Sequence, residues 1–402
     1  MAVNLKVPWP LGAVAGVRIG TVAAGIRKAG RPDLTLISLA PGTRVAGIFT
    51  RNQFCAAPVL LARRLLQQAG IRGLVVNTGY ANAGTGADGL AAAQRVCAAA
   101  AAVLGCAPEA VLPFSTGIIG APLPVDVITA ALPAAAAHLT PSGWNDAAVA
   151  IMTTDTVPKG LTRTFSVGGT PVTVTGIAKG AGMIEPDMAT LLAFVGTDAA
   201  VDDDVLADLL QEAAASSFNS MTVDGDTSTN DSCILFATGA SGVALRPGSD
   251  AFAAFRAALK DVFDGLAQSI IRDAEGATKF VTVETKGARS VSEARDVAYA
   301  IARSPLVKTA LFAQDANWGR VLAAAGRAVH APLDLRGVTL SINGLRICTG
   351  GAVDPKYTDE AGMRVMRAAD LHIELDFQQG AGTARVWTCD LSHEYVRING
   401  DY

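Results

Sequence analysis

One segment constrains this chain more than any other: Gly176 to Gly196, GIAKGAGMIEPDMATLLAFVG. Its first half is sterically open, carrying Lys179, Gly180, Gly182, Met183 and Pro186. Its second half, Leu191 to Val195, is a continuous apolar run of strand length, the pattern of a buried strand. Thr190 stands at the junction. A hydroxyl at the start of a core strand is held rigidly at the floor of a pocket. If the bond between Ala189 and Thr190 is cut, Thr190 gains a free α-amine beside its own hydroxyl. That amine is then placed to act as general base for a nucleophilic threonine. The small Ala189 leaves room for attack on its carbonyl. Gly180 and Gly182 permit backbone conformations that other residues avoid, in which strain can be stored.

The rest of the composition narrows the classes of function. With 402 residues, half of them hydrophobic, the chain can bury a large core, and its length allows two or three domains. A net charge of −3 supplies no basic field for nucleic acid or an anionic membrane. The cysteines (Cys55, Cys97, Cys106, Cys233, Cys348 and Cys389) form no C-x-x-C pair and have no histidine at ligand spacing, and the histidines (His138, His330, His372 and His393) are scattered. Buried reduced thiols are expected, with no metal and no disulfide framework. The N-terminus lacks a basic start followed by a long apolar stretch, and Ala91–Leu104 carries Gln94 and Arg95 and reads as too short to span a bilayer. A soluble cytoplasmic protein is the expectation.

Short β-rich runs alternate with alanine-rich helices. Strands are expected at 35–39, 46–50, 73–77, 172–178, 191–196, 232–237, 279–285 and 371–375, and helices at 57–68, 89–104, 125–132, 203–218, 250–273, 290–302, 317–325 and 359–369. Asp203 and Asp204 suit a helix start, and Asp250, after Pro247 and Gly248, reads as an N-cap. Such mixing without a low-complexity linker or internal repeat points to a layered α/β protein. A weak boundary is expected near Lys286–Gly287, setting off a C-terminal subdomain over 287–402. The run from Gly84 to Gly89 fits G-x-G-x-x-G, but Glu109 precedes a strand-like run (Ala110–Phe114), whereas a ribose-binding acid ends one. Nucleotide binding is therefore set aside.

Further motifs follow one another along the chain: STGIIG (115–120), IMTTDTVPK (151–159), KGAGMIEPDMAT (179–190), TVDGDTSTNDS (222–232), EGATKF (275–280), SPLVKTA (304–310) and NWGR (317–320). Together they span most of the chain, which resembles the glutamate N-acetyltransferases, also called ornithine acetyltransferases. The resemblance implies a layered α+β fold, an α/β/β/α sandwich similar to N-terminal-nucleophile enzymes. It also implies self-cleavage between Ala189 and Thr190. The halves 1–189 (alpha chain) and 190–402 (beta chain) would remain interwoven as one catalytic unit, assembled as two alpha and two beta chains.

The same resemblance implies the chemistry. N-acetylornithine gives its acetyl group to Thr190 and leaves as ornithine; L-glutamate then takes the acetyl through its α-amine, giving N-acetylglutamate in arginine biosynthesis. Such a ping-pong transfer between amines of similar energy requires no cofactor, and acetyl-CoA stays open as a second donor. Thr116 and Gly117 match the family's oxyanion hole, a hydroxyl and a backbone N–H facing the developing charge. Thr153, Lys179, Glu275 and Asn399 match its substrate-binding residues, Lys179 facing an α-carboxylate and Glu275 a side-chain ammonium. The sequence departs from the family pattern in ending at Tyr402, short of a terminal Thr or Ser, and in carrying Tyr80 where asparagine is common. The rival reading is an amidohydrolase or aminopeptidase on the same scaffold, in which water resolves the acyl-enzyme.

Overall fold

A computed structural model describes residues 2–68, 70–185, 191–328, 334 and 336–400. The chain divides into two compact units. One comprises Lys6–Asn219 with Thr227–Ile270, the other Met1–Leu5, Ser220–Asp226 and Ile271–Tyr402. Lys286–Gly287, where the sequence suggested a boundary, lies inside a strand.

The larger unit holds two sheets. The first has the order β1-β2-β4-β5, from β1 (Val17–Val22), β2 (Leu34–Leu39), β4 (Gly73–Tyr80) and β5 (Val111–Ile118). The second has the order β3-β9-β8-β7-β6, from β3 (Arg44–Phe49), β6 (Lys159–Val167), β7 (Thr170–Lys179), β8 (Leu192–Thr197) and β9 (Ser232–Ala237). β4 and β5 run parallel and are joined by helix α2 (Gly86–Leu104); β8 and β9 run parallel and are joined by α5 (Asp203–Ser216). Parallel neighbours need such crossovers. Every residue of β8 and β9 is buried, as their continuous apolar runs require of strands covered on both faces.

The sheets pack face to face. Phe114 of β5 meets Phe194 of β8 edge-on, with ring centres 5.1 Å apart, and one apolar core contains Leu36, Val75 and Phe114 from the first sheet with Leu192, Phe194 and Phe236 from the second. α2 and α3 (Val125–Ala137) cover the first sheet. On the far side of the second sheet, Val262 and Leu266 of α6 (Asp250–Arg272) pack closely over Gly176. The result is the α/β/β/α layering that the sequence led one to expect. The unit also contains α1 (Ala57–Leu66), against β5 and β3, and α4 (Trp144–Ala150).

Two local readings are corrected. The N-terminus of α6 is capped by Ser249, whose hydroxyl accepts from the Phe252 N–H at 3.2 Å; Asp250 is already inside the helix. The alanine-rich helix starts at Gly86 and runs 19 residues, long and apolar enough by composition to cross a membrane. Its buried face (Ala93, Val96, Cys97, Ala100 and Ala101) instead joins the core of the unit.

The smaller unit is built on one six-stranded sheet in the order β13-β12-β11-β14-β10-β15, from β10 (Phe280–Ala288), β11 (Thr339–Ile342), β12 (Leu345–Thr349), β13 (Ala352–Val353), β14 (Asp370–Asp376) and β15 (Gly382–Cys389). Asn343 and Gly344 turn the β11–β12 hairpin with φ of 46° and 79°, the backbone such two-residue turns require. Helices α7 (Val291–Ala302), α8 (Pro305–Phe312), α9 (Trp318–Ala325), α10 (Asp359–Met366) and α11 (His393–Gly400) complete the unit. Side chains of Ser290, Ser304, Asn317 and Thr358 cap α7 to α10. All six cysteines are free thiols; Cys97, Cys233, Cys348 and Cys389 are buried, and Cys55 and Cys106 are half-buried.

Candidate functional site

The end of β5 carries Thr116 and Gly117. Gly117 has φ of 138°, and a Cβ there would lie 2.2 Å from the carbonyl carbon of Gly79 on the adjoining strand, so the position admits only glycine without displacing backbone. Thr116 is buried, and its Oγ1 accepts a hydrogen bond of 3.0 Å from Nζ of Lys179, the last residue of β7. The sandwich thus brings together residues 63 positions apart. A hydroxyl polarised by an ammonium beside a glycine of unusual φ is a donor arrangement suited to developing negative charge.

Behind this pair lies Asp155, missed as an individual residue by sequence reasoning although it sits in IMTTDTVPK. Its Oδ1 accepts from Lys159 Nζ at 2.6 Å and from the Gly180 N–H at 2.8 Å, and its Oδ2 accepts from the Thr153 N–H at 2.9 Å. The Asp155 and Lys159 side chains are wholly buried. Burial alone would raise the Asp155 carboxyl; the charges of Lys159 and Lys179 and the bonds from Lys159 and Thr153 outweigh it and hold the group well below the usual carboxylate range. Thr153, half-buried, is therefore fixed by its backbone to the same carboxylate that fixes Gly180.

Asn230 forms a second knot. Its Nδ2 donates to the carbonyls of Ala81 (2.6 Å) and Ser115 (2.9 Å), while the Ser115 hydroxyl donates to Asn77 Oδ1 (2.6 Å). Asn77 in turn donates to the Tyr80 carbonyl at 3.0 Å. Asn230 thereby ties the backbone at Ala81 to that at Ser115, next to Thr116. Tyr80 packs its ring against the apolar core. Ala189 and Thr190 lie outside the described residues; Leu191, which follows them, is buried.

In the smaller unit, Glu275 and Asn399 come together. Asn399 Nδ2 donates to Glu275 Oε2 at 2.8 Å, and the Tyr395 hydroxyl donates to Asp224 at 3.1 Å. Burial, then the neighbouring Asp224, pushes the Tyr395 hydroxyl far up, so it remains a neutral donor. Glu284, His372 and Glu374 of the same unit offer ligand atoms within 4.8 Å of one another. Lys286 Nζ already bonds Glu374 at 2.6 Å and approaches Glu284 at 3.5 Å, supplying the cation that the carboxylates call for.

A model of the ArgJ family matches residues 18–402. This chain belongs to the ArgJ family. Among solved structures, it is 37% identical to the arginine biosynthesis bifunctional protein argJ of Bacillus halodurans, with a TM-score of 0.50 over 52% of this chain and 98% of that one. It is 36% identical to the ornithine acetyltransferase of Mycobacterium tuberculosis solved with ornithine, with a TM-score of 0.41 over 46% of this chain and 98% of that one. The ArgJ match takes in all of Thr116, Gly117, Thr153, Lys179, Glu275 and Asn399.

Proposed function

We propose that this ArgJ-family chain is an acetyltransferase of arginine biosynthesis that moves acetyl from N-acetylornithine to L-glutamate through an ester on Thr190. The observation that carries the reading is the Lys179–Thr116 hydrogen bond beside Gly117, at the end of the strand next to β8. Thr116 and the Gly117 N–H stabilise the oxyanion of each half-reaction. Thr153, Lys179, Glu275 and Asn399 are assigned to substrate binding, Lys179 to an α-carboxylate and Glu275 to the side-chain ammonium of ornithine.

Maturation comes first: the Thr190 hydroxyl attacks the Ala189 carbonyl, the C–N bond breaks as the ester forms, and water hydrolyses the ester. The freed α-amine, with an ordinary pKa of roughly 8, then takes the hydroxyl proton in acyl transfer. The solved Bacillus halodurans chain, which matches little more than half of this one, is the length expected of one cleaved piece. No cofactor is invoked, acetyl-CoA remains a candidate second donor, and the working assembly is two alpha and two beta chains in the cytoplasm.

Intact-mass spectrometry of the denatured protein tests this directly. The expected result is two pieces, 1–189 and 190–402, with an acetyl adduct on the second after N-acetylornithine is added. A single uncut chain, also seen in Thr190→Ala, would sink the reading. Cleavage followed by release of free acetate, with no N-acetylglutamate formed, would assign the chain to the hydrolases instead.

A further inference from the structure

Asp390, buried just ahead of α11, is left without a role by the chemistry above. Its Oδ1 accepts from the N–H groups of Thr278 (2.8 Å) and Lys279 (2.9 Å), and its Oδ2 accepts from the Thr278 hydroxyl. Further along the same stretch, the Ser392 hydroxyl donates to the Gly276 carbonyl at 2.6 Å. Two side chains leading into α11 thus grip the backbone of the loop that follows Glu275. Hydrogen bonds to a charged acceptor are about twice as strong as neutral ones, so the hold is firm.

Gly276 lets the two segments touch. Its φ is 69°, and a Cβ there would lie 2.5 Å from the Tyr395 nitrogen and 2.7 Å from Ser392 Oγ. The first turn of α11 therefore packs on bare backbone beside Glu275. Within the loop, the Ala277 N–H closes a turn onto the Ala274 carbonyl at 3.0 Å. Beyond it, Lys279 Nζ donates to the carbonyls of Met366 (2.9 Å) and Ala368 (2.8 Å) at the end of α10. Glu275, only 8% exposed, accepts from Asn399 on Oε2, while its Oε1 bonds nothing among the described residues. A largely buried carboxyl oxygen left open calls for a donor.

We propose that Asp390 and Ser392 are positioning residues for substrate recognition. They lock the Glu275 loop against α11, so that Glu275 keeps Asn399 on one oxygen and offers the other to an ammonium. Neither residue touches the ligand. The inference rests on the assignment of Glu275 to the side-chain ammonium of ornithine. It makes affinity for that end of the substrate, rather than the transfer step, the property this clasp controls. Glutamate has no ammonium at its side-chain end, so its binding should not depend on the clasp.

The test is steady-state acetyl transfer with both substrates varied, in Asp390→Ala, Ser392→Ala and Thr278→Val beside the wild type and Glu275→Gln. Asp390→Ala should raise KM for N-acetylornithine about tenfold and leave kcat and KM for glutamate within about twofold. Ser392→Ala and Thr278→Val each lose one hydrogen bond and should raise it about threefold. Asp390→Asn, whose amide oxygen can still accept from both N–H groups, should recover most of the loss. Calorimetric titration with ornithine reads the same contrast without turnover. A merely structural role would lower kcat with the share of folded protein and leave KM unmoved, and that result overturns the proposal. So does a raised KM in Glu275→Gln with none in the clasp variants. An unchanged KM in Glu275→Gln overturns the assignment of Glu275 itself, and this inference with it. Should Asp390→Ala fail to fold, the two single-bond variants decide, and an unchanged KM in both overturns the proposal.

Discussion

Asp155 gathers donors from three stretches of chain: Thr153 beside it, Lys159 four residues on, and Gly180 beyond the β6–β7 hairpin. Asp155→Asn leaves the Lys159 charge buried without its counter-ion and should cost about 3–5 kcal/mol, read by denaturant unfolding. Because the folded carboxyl sits below its unfolded value, its contribution is complete above the ordinary carboxylate range and drains away as pH falls below it. Wild-type stability should therefore drop on acidification below about pH 4, and that slope should flatten in Asp155→Asn. Thr116→Val keeps the shape of the residue but removes the hydroxyl that Lys179 engages. It should lower kcat about 100-fold with little change in KM, as steady-state acetyl-transfer kinetics would show. Thr116 and Lys179 were legible because each sits in a motif. Asp155 and Asn230 were not picked out, since a lone buried polar residue leaves no periodic trace and acquires its partners only when distant strands close on it.

Most strands of the larger unit were readable, β3 at a sheet edge among them, whereas the edge strands β1 and β6 were not. β8 and β9 are largely apolar runs, whereas β6, on the sheet edge, carries three polar residues in a row, Thr162, Arg163 and Thr164, and looks like loop. The short β11, β12 and β13 fall below the length at which a period can be counted, and α4, with seven residues, is barely two turns. Helix ends shifted by a few residues for the same reason: Ser249, not Asp250, caps α6. Ser249→Ala should destabilise the larger unit by about 1 kcal/mol, measurable as a lower unfolding midpoint, while Asp250→Ala should change it less.

In the larger unit, residues from either side of position 190 share one sheet. β3, β6 and β7 precede it; β8 and β9 follow it and occupy the interior positions. If the chain is cut there, neither piece leaves without tearing two hydrogen-bonded ladders, so both should co-elute in native buffer and part only in denaturant. The smaller unit is likewise assembled from non-contiguous chain: the Val3 N–H donates to Arg272 at 2.7 Å and the Thr222 N–H to Trp387 at 2.9 Å. A 271–402 fragment should melt higher when a peptide covering 220–226 is added, by roughly 4 °C or more for each kcal/mol contributed. The sequence suggested the layered architecture through its alternation of runs and helices, and the family resemblance implied interwoven halves; which strands pair across position 190 was hidden, because pairing between distant segments has no local signature.

The six thiols turn that division into a clock. Cys55, Cys97, Cys106 and Cys233 belong to the larger unit, Cys348 and Cys389 to the smaller. Burial holds Cys97 up at about 12, so it stays a protonated, inert thiol while its surroundings are closed. Alkylation timed by mass spectrometry would therefore read two independent openings from one untagged protein: modification at 348 and 389 dates one unit's exposure, and modification at 97 and 233 the other's.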